Sequence, residues 1–191
     1  MLTFDHVFFS FDGKTVLSDF SLKVEKGEIV ALMGESGIGK STLLNLAAGL
    51  LHPQKGSIKN HSTKISYAFQ EPRLFPWMTA LENVNAVLSG KGDTLPTAQK
   101  ALDFVYLGKD GQLYPNELSG GMKTRVSIAR AIAYDGDLYL LDEPFSALDA
   151  ELREKILLSL RNHLKERGAT ALFVTHQHEE AERFADRIVS V

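Results

Sequence analysis

Apolar residues along this chain fall into two rhythms. Short runs recur at Leu2-Thr3-Phe4, Val7-Phe8-Phe9-Ser10-Phe11, Ile29-Val30-Ala31-Leu32-Met33, Ile65 to Phe69, Leu138-Tyr139-Leu140-Leu141, Ala171-Leu172-Phe173-Val174-Thr175 and Arg187-Ile188-Val189-Ser190-Val191. Runs of this length, rich in β-branched or aromatic residues and bounded by turn residues, predict strands. Phe20 to Val24 alternates apolar and polar, with Asp12-Gly13 and Lys26-Gly27 as turns, so the first part of the chain predicts an antiparallel β region. Helical patterns fill the rest. Ser41 to Ala48 favours helix and stops at Gly49. Ser119 is a good N-cap for a helix to about Tyr134, with Val126, Ala129, Ile132 and Ala133 as its stripe. Leu152, Ile156, Leu160 and Leu164 recur every fourth residue up to Gly168. A shorter helix is predicted over about residues 178–185. Between residues 79 and 116 the spacing is less regular. Leu81, Val84 and Leu88 share one face and Ala101, Leu102 and Val105 another, separated by Gly90, Gly92 and Pro96. That stretch predicts a small helical insert.

Strands alternating with helices imply an α/β core with a mostly parallel sheet and right-handed crossovers. In such sheets ligands gather at the carboxyl ends of the strands. Gly34, Gln70, Asp142 and His176 all follow predicted strands.

Composition narrows the class. A chain of 191 residues with 44% hydrophobic residues has enough apolar material for one domain with a real core. The formal net charge of −3 gives no electrostatic footprint for nucleic acid. The absence of cysteine removes disulfide frameworks and thiolate metal sites. No apolar run approaches the ~18 residues that span a bilayer, and no secretory signal is visible at the N-terminus. The expected place is the cytoplasm.

The chemistry starts at Gly34-Glu35-Ser36-Gly37-Ile38-Gly39-Lys40-Ser41-Thr42, which fits G-x-x-x-x-G-K-[ST]. A buried strand precedes it and a helix follows, the context the phosphate-binding loop requires. Its glycines let main-chain N–H groups approach an anion, and the helix aims its positive end at the same point. Lys40 is expected to reach the β- and γ-phosphates, and Ser41 to ligate Mg²⁺. Asp142, at the end of an apolar strand, suits the same Mg²⁺, and Glu143 is placed to orient or deprotonate an attacking water. Gln70 and His176 are weaker candidates by themselves: either could touch the reaction or merely satisfy the backbone. Ser119-Gly120-Gly121 is a second small-residue helix start suited to an anion. Phe11 could stack on an adenine ring, but periodicity alone favours a core phenylalanine.

The order phosphate loop, Gln70, LSGGM at 118–122, LYLLDEP at 138–144, Ser146-Ala147-Leu148-Asp149 and His176 resembles the ATP-binding cassette (ABC) ATPases. The resemblance covers nearly the whole chain, and LSGG is its most specific part. It implies a phosphate-loop NTPase fold in a single domain, 1–191, with an insert of about 72–134 carrying the signature. It implies that Phe11 stacks on adenine, Gln70 links Mg²⁺ to a transporter interface, and Ser119, Gly120 and Gly121 close over ATP bound to a partner subunit. It implies Glu143 as the catalytic glutamate, His176 as its switch histidine, and Asp149 as a contact to the opposite subunit. The implied partners are a second ATPase subunit, a transmembrane permease that holds the chain on the inner membrane face, and indirectly an extracytoplasmic solute-binding protein.

Gln70-Glu71-Pro72-Arg73-Leu74-Phe75-Pro76-Trp77 resembles, more narrowly, the nitrate/sulfonate/taurine-type importer ATPases. Met122 stands where glutamine commonly closes the signature, and the end at Val191 leads us to expect no regulatory extension. Two rivals are weaker. A DNA-repair type ATPase needs coiled-coil heptads or a basic patch, and a non-hydrolysing nucleotide switch would not need both Glu143 and His176. The apolar Leu74, Phe75, Trp77 and Met78, around two prolines, are expected on a surface that docks the permease.

Overall fold

The structure is a computed structural model that describes residues 1–88 and 93–191. The predicted breaks at Gly90 and Gly92 lie outside the described residues. Two sheets organise the fold. In the first, β1 (Leu2–Phe11) pairs antiparallel with β2 (Lys14–Val24) on one side and β4 (Lys55–Asn60) on the other. The two predicted runs at 2–4 and 7–11 form one strand, interrupted by a register shift where His6 adopts φ 49°. Asp12-Gly13 makes the hairpin turn as expected, both residues having positive φ.

The second sheet is parallel, in the order β5-β6-β7-β3-β8. Its strands are β3 (Ile29–Met33), β5 (Ile65–Ala68), β6 (Leu138–Asp142), β7 (Thr170–Val174) and β8 (Arg187–Ser190). The central three are covered on both faces, which explains their unbroken apolar sequences. Alternate residues sort into two cores. Ile29, Ala31, Tyr139, Leu141, Ala171 and Phe173 face one side; Val30, Leu32, Leu138, Leu140, Leu172 and Val174 face the other. The second face packs α1 (Lys40–Ala47) and the antiparallel sheet. The first packs α4 (Gly120–Tyr134), α5 (Ala150–Arg167), α6 (His178–Phe184) and the insert. Among the described residues the insert holds α2 (Ala80–Asn85), α3 (Leu95–Phe104) and a 3₁₀ turn at Gly108–Asp110.

Local signals set most boundaries. Ser119 accepts from Met122 N at the start of α4 and Asp149 from Leu152 N at the start of α5, each satisfying a free donor of the first turn. Gly168 ends α5 in the left-handed region. Thr79 and Glu82 close a reciprocal capping box on α2. No helix among the described residues is long and apolar enough to cross a membrane.

Candidate functional site

Four neighbouring parallel strands, β5, β6, β7 and β3, end at the same edge of the sheet, and their carboxyl ends deliver the side chains of the site. A cleft of about 310 Å³ opens there. The phosphate loop forms its floor through Ser36, Gly37, Gly39, Lys40, Ser41 and Thr42, with Gln70, Glu143 and His176 on the wall opposite.

The loop is tight because it must pass under the β1–β2 hairpin. Gly39 has φ 115°, and a Cβ there would lie 2.8 Å from Val16 Cγ1, so only glycine fits. Gly39 also stands at the N-cap of α1, which has no side-chain cap. The first-turn N–H groups of α1 thus face an anion site rather than a protein oxygen. Lys40 is 5% exposed, and its ammonium donates to the carbonyls of Gly34 (2.9 Å) and Glu35 (2.7 Å). Those bonds aim it across the loop. Ile38, at the loop's tip, is exposed.

The acidic wall is built at the end of β6. Asp142 is buried, and its Oδ1 has no hydrogen-bond partner among the described residues. Burial pushes its carboxyl above the usual range, opposed by the nearby Ser41 hydroxyl. Among the described residues no three acidic, histidine or cysteine side chains converge as a closed metal cage. A hydroxyl, one carboxylate with a free oxygen and a nearby phosphate cradle nevertheless fit Mg²⁺, which binds through few protein oxygens and completes its shell with phosphates and water. Ser41 and Asp142 are the residues that would hold it, with Gln70 on the same cleft.

Glu143 leaves the strand direction at once. Its φ of 48° is left-handed, a conformation that costs a non-glycine residue on the order of 1–3 kcal/mol. Its N–H still bonds to Val174 O at 3.0 Å, and Ser146 Oγ donates to its carbonyl at 3.0 Å. The turn swings the carboxylate away from Asp142 and onto His176, whose Nε2 lies 2.6 Å from Glu143 Oε1. A carboxylate and an imidazole in contact over a phosphate loop can hold and orient a water beside the phosphates.

The fold brings most of the sequence-predicted positions to this one cleft. Phe11 sits at its rim, 49% exposed and edge-on to Phe9, so it is not the core residue that periodicity suggests. Val16 lines the cleft beside it, a position that sequence reasoning misses. No local pattern announces it: Val16 falls between Thr15 and Leu17, where the pairing of β2 with β1 slips a residue, while Phe11 itself pairs with Lys14. Ser119 and Gly120 are exposed at the start of α4, and none of Ser119, Gly120 and Gly121 lines the cleft. Gly121 packs closely, since a Cβ there would lie 2.7 Å from Ala147 O.

The loop after Gln70 departs from expectation at its apolar residues. Phe75 and Trp77 are 41% and 69% exposed, but Leu74 packs against the main core and Met78 is half-buried. The cause is Asn83, fully buried on α2. Its Oδ1 accepts from Phe75 N at 2.8 Å, and its Nδ2 faces the carbonyls of Phe75, Met78 and Thr79. This polar knot turns Leu74 inward. Arg130 of α4 donates to the carbonyls of Pro72 and Arg73, tying the same loop to the helix that begins with the signature.

An Fe(3+) ions import ATP-binding protein of Rhizobium etli is 40% identical, over 98% of this chain and 57% of its own. A sulfate/thiosulfate import ATP-binding protein of Escherichia coli is 41% identical, over 94% of this chain and 54% of its own. The chain thus spans a little over half the length of these curated relatives. Among solved structures, a dimeric post-hydrolysis state of the ATP-binding cassette MJ0796 bound to ADP and Pi superposes with a TM-score of 0.92 at 32% identity, covering 100% of this chain and 94% of that one. The sequence model of the family described as ABC transporter matches residues 17–146, and on that match together with the site just described, the chain belongs to the ABC transporter ATPase family.

Proposed function

We propose that this chain is the ATP-binding and ATP-hydrolysing subunit of a membrane importer, acting as one ABC ATPase domain over residues 1–191 with its insert at about 72–134. The observation that carries the reading is the 2.6 Å contact of Glu143 with His176 beside the phosphate loop. A chain that only bound nucleotide would need the loop but not this pair.

In this reading Gly34, Glu35, Ser36, Gly37, Ile38, Gly39, Lys40, Ser41 and Thr42 cradle the phosphates, and Phe11 stacks on the adenine. Ser41, Asp142 and Gln70 hold Mg²⁺, which when bound neutralises charge on the phosphate oxygens. Lys40 exchanges its two carbonyl partners for phosphate oxygens. Glu143 accepts a hydrogen bond from the attacking water, and His176 steadies that carboxylate and faces the terminal phosphate. Catalysis is then positional and electrostatic, as phosphoryl transfer generally is.

Ser119, Gly120 and Gly121 stand at an exposed helix start away from their own chain's cleft. They complete the site of a second ATPase subunit, so that two ATP molecules lie between two chains, most simply as a homodimer. The exposed Phe75 and Trp77 dock the transmembrane permease, which keeps this subunit at the cytoplasmic face of the membrane and connects it indirectly to an extracytoplasmic solute-binding protein. The Gln70–Trp77 segment favours the nitrate/sulfonate/taurine-type group within the importers.

The test is phosphate release by the purified chain with MgATP, beside Glu143→Gln. That substitution keeps shape and removes the carboxylate charge, so turnover should fall by roughly 10²–10⁴-fold while nucleotide binding persists. Turnover at the wild-type rate would remove Glu143 from its catalytic role.

A further inference from the structure

A buried polar network lies against the Glu143–His176 pair, and the hydrolytic reading makes no use of it. We propose that Glu180 and Thr175 are positioning residues for hydrolysis: their hydrogen bond sets the turn that presents His176 to Glu143. The proposal rests on the reading of this site as an ATPase.

Thr175 and Glu180 are 2% and 5% exposed. Thr175 Oγ1 donates to Glu180 Oε2 at 2.5 Å, and the same hydroxyl accepts from Gln177 N at 3.1 Å. The two bonds grip the chain on both sides of His176. Gln177 is the N-cap of α6 and makes no side-chain cap; the Thr175 hydroxyl holds its N–H from the strand side instead. Arg153, on the first turns of α5, donates to Gln177 Oε1 at 2.8 Å and lies 3.5 Å from Glu180 Oε1. A cavity of about 40 Å³ separates this network from the catalytic pair, lined by Glu143, Ser146, Thr175, His176, Gln177 and Glu180. It is polar-lined and roomy enough to hold water.

Burial pushes the Glu180 carboxyl above its usual range, with the Thr175 hydroxyl and Arg153 pulling the other way. A carboxylate in such a place costs free energy that an apolar side chain of the same size would not. What it contributes is direction: it fixes the hydroxyl rotor of Thr175, and that rotor fixes the amide after His176. His176 itself is exposed, so without this grip its ring has few neighbours to hold it against Glu143.

Turnover, KM for ATP and thermal stability of the full chain would be measured for Thr175→Val, Thr175→Ser and Glu180→Asp, with Ile156→Val as a core-trimming control. Thr175→Val removes the hydroxyl, and Glu180→Asp withdraws the carboxylate from it while keeping the charge. Both should lower kcat about tenfold with KM within about twofold, the pattern of an interaction expressed in the reacting state. Thr175→Ser should restore most of the rate, and Ile156→Val should lose stability without losing kcat. Should Thr175→Val fail to fold, Glu180→Asp decides alone. Wild-type kcat in a folded Thr175→Val or in Glu180→Asp, or a raised KM at unchanged kcat, overturns the proposal. Absence of phosphate release by the wild-type chain would instead remove the ATPase reading on which it rests.

Discussion

Two helices of this molecule begin on glycine-rich stretches, and they end up as different objects. At α1 the N-cap is Gly39 with no side-chain cap, the following Lys40 is buried, and the loop folds into a cleft with an acidic wall. At α4 the N-cap is Ser119, whose hydroxyl accepts from Met122 N at 3.2 Å, and no residue of the helix start lines that cleft. Both present main-chain N–H groups that suit an anion. Only the first is surrounded by the rest of a site. A helix N-terminus is therefore not a site in itself; the strands behind it decide whether it has a counter-wall. At α4 that wall has to come from elsewhere, which in the proposed function is the second subunit.

The comparison breaks most sharply on Lys40. Lys40→Ala should weaken ATP binding to the isolated chain by about 10²-fold, since charge-assisted bonds to phosphate contribute about 1.5–3 kcal/mol each. Isothermal titration would measure it. Ser119→Ala and Gly120→Ala should leave that isolated-chain affinity unchanged. If they weaken it as much as Lys40→Ala does, the two helix starts belong to one site and the contrast is wrong.

Gly121 tests the second helix start by geometry. A Cβ at this position meets Ala147 O at 2.7 Å, and neither backbone can give way without moving α4 or the loop before Asp149. Gly121→Ala should destabilise the chain by about 1–3 kcal/mol. It should also abolish ATP-dependent dimerisation of the Glu143→Gln background, read as mass by light scattering. Dimerisation at wild-type strength would detach the signature from the subunit contact.

Trp77, the sole tryptophan, reports a third region. At 69% exposure it should emit at long wavelength, be quenched readily by acrylamide, and become protected when a permease binds. Trp77→Ala should change stability by no more than about 0.5 kcal/mol, as for exposed sites generally. A blue-shifted, unquenchable emission in the isolated chain would place this side chain in the interior.

The smallest effect lies where the insert meets α5. His163 packs edge-on to Phe104, and burial, aided by Arg167, depresses its imidazole below the ordinary 6.5. The folded state thus favours the neutral ring. Its contribution to stability is present above the unfolded value and is lost as pH falls from there through the lower folded value. Urea midpoints should decline modestly from pH 7.5 to 5.5, and less so in His163→Phe. An identical decline in both proteins would assign the dependence to other groups.

Much of the site was legible because its parts are local. The phosphate loop, Asp142 and Glu143 are each announced by an apolar strand and the turn at its end. The Ser119 cap and the Gly168 stop are decisions of the nearest few residues, and the fold keeps them where local pattern puts them. The resemblance supplied what local pattern could not: periodicity placed Phe11 in the core, whereas the hairpin brings it to the rim of the cleft.

The sequence by itself determined the kinds of element, their order and the chemistry carried at their ends, because propensity, capping and period are short-range properties of the chain. The tertiary structure alone decided who meets whom. Strands buried on both faces look alike in sequence, so nothing local says that β3 lies between β7 and β8, and that order is what gathers the strand ends into one cleft. The same holds for Val16 over Gly39, for Arg130 tying down the loop at Pro72 and Arg73, and for Arg153 reaching Gln177 behind His176. Each depends on a contact between segments whose separation in sequence carries no signal, and close packing then admits only the side chains that fit.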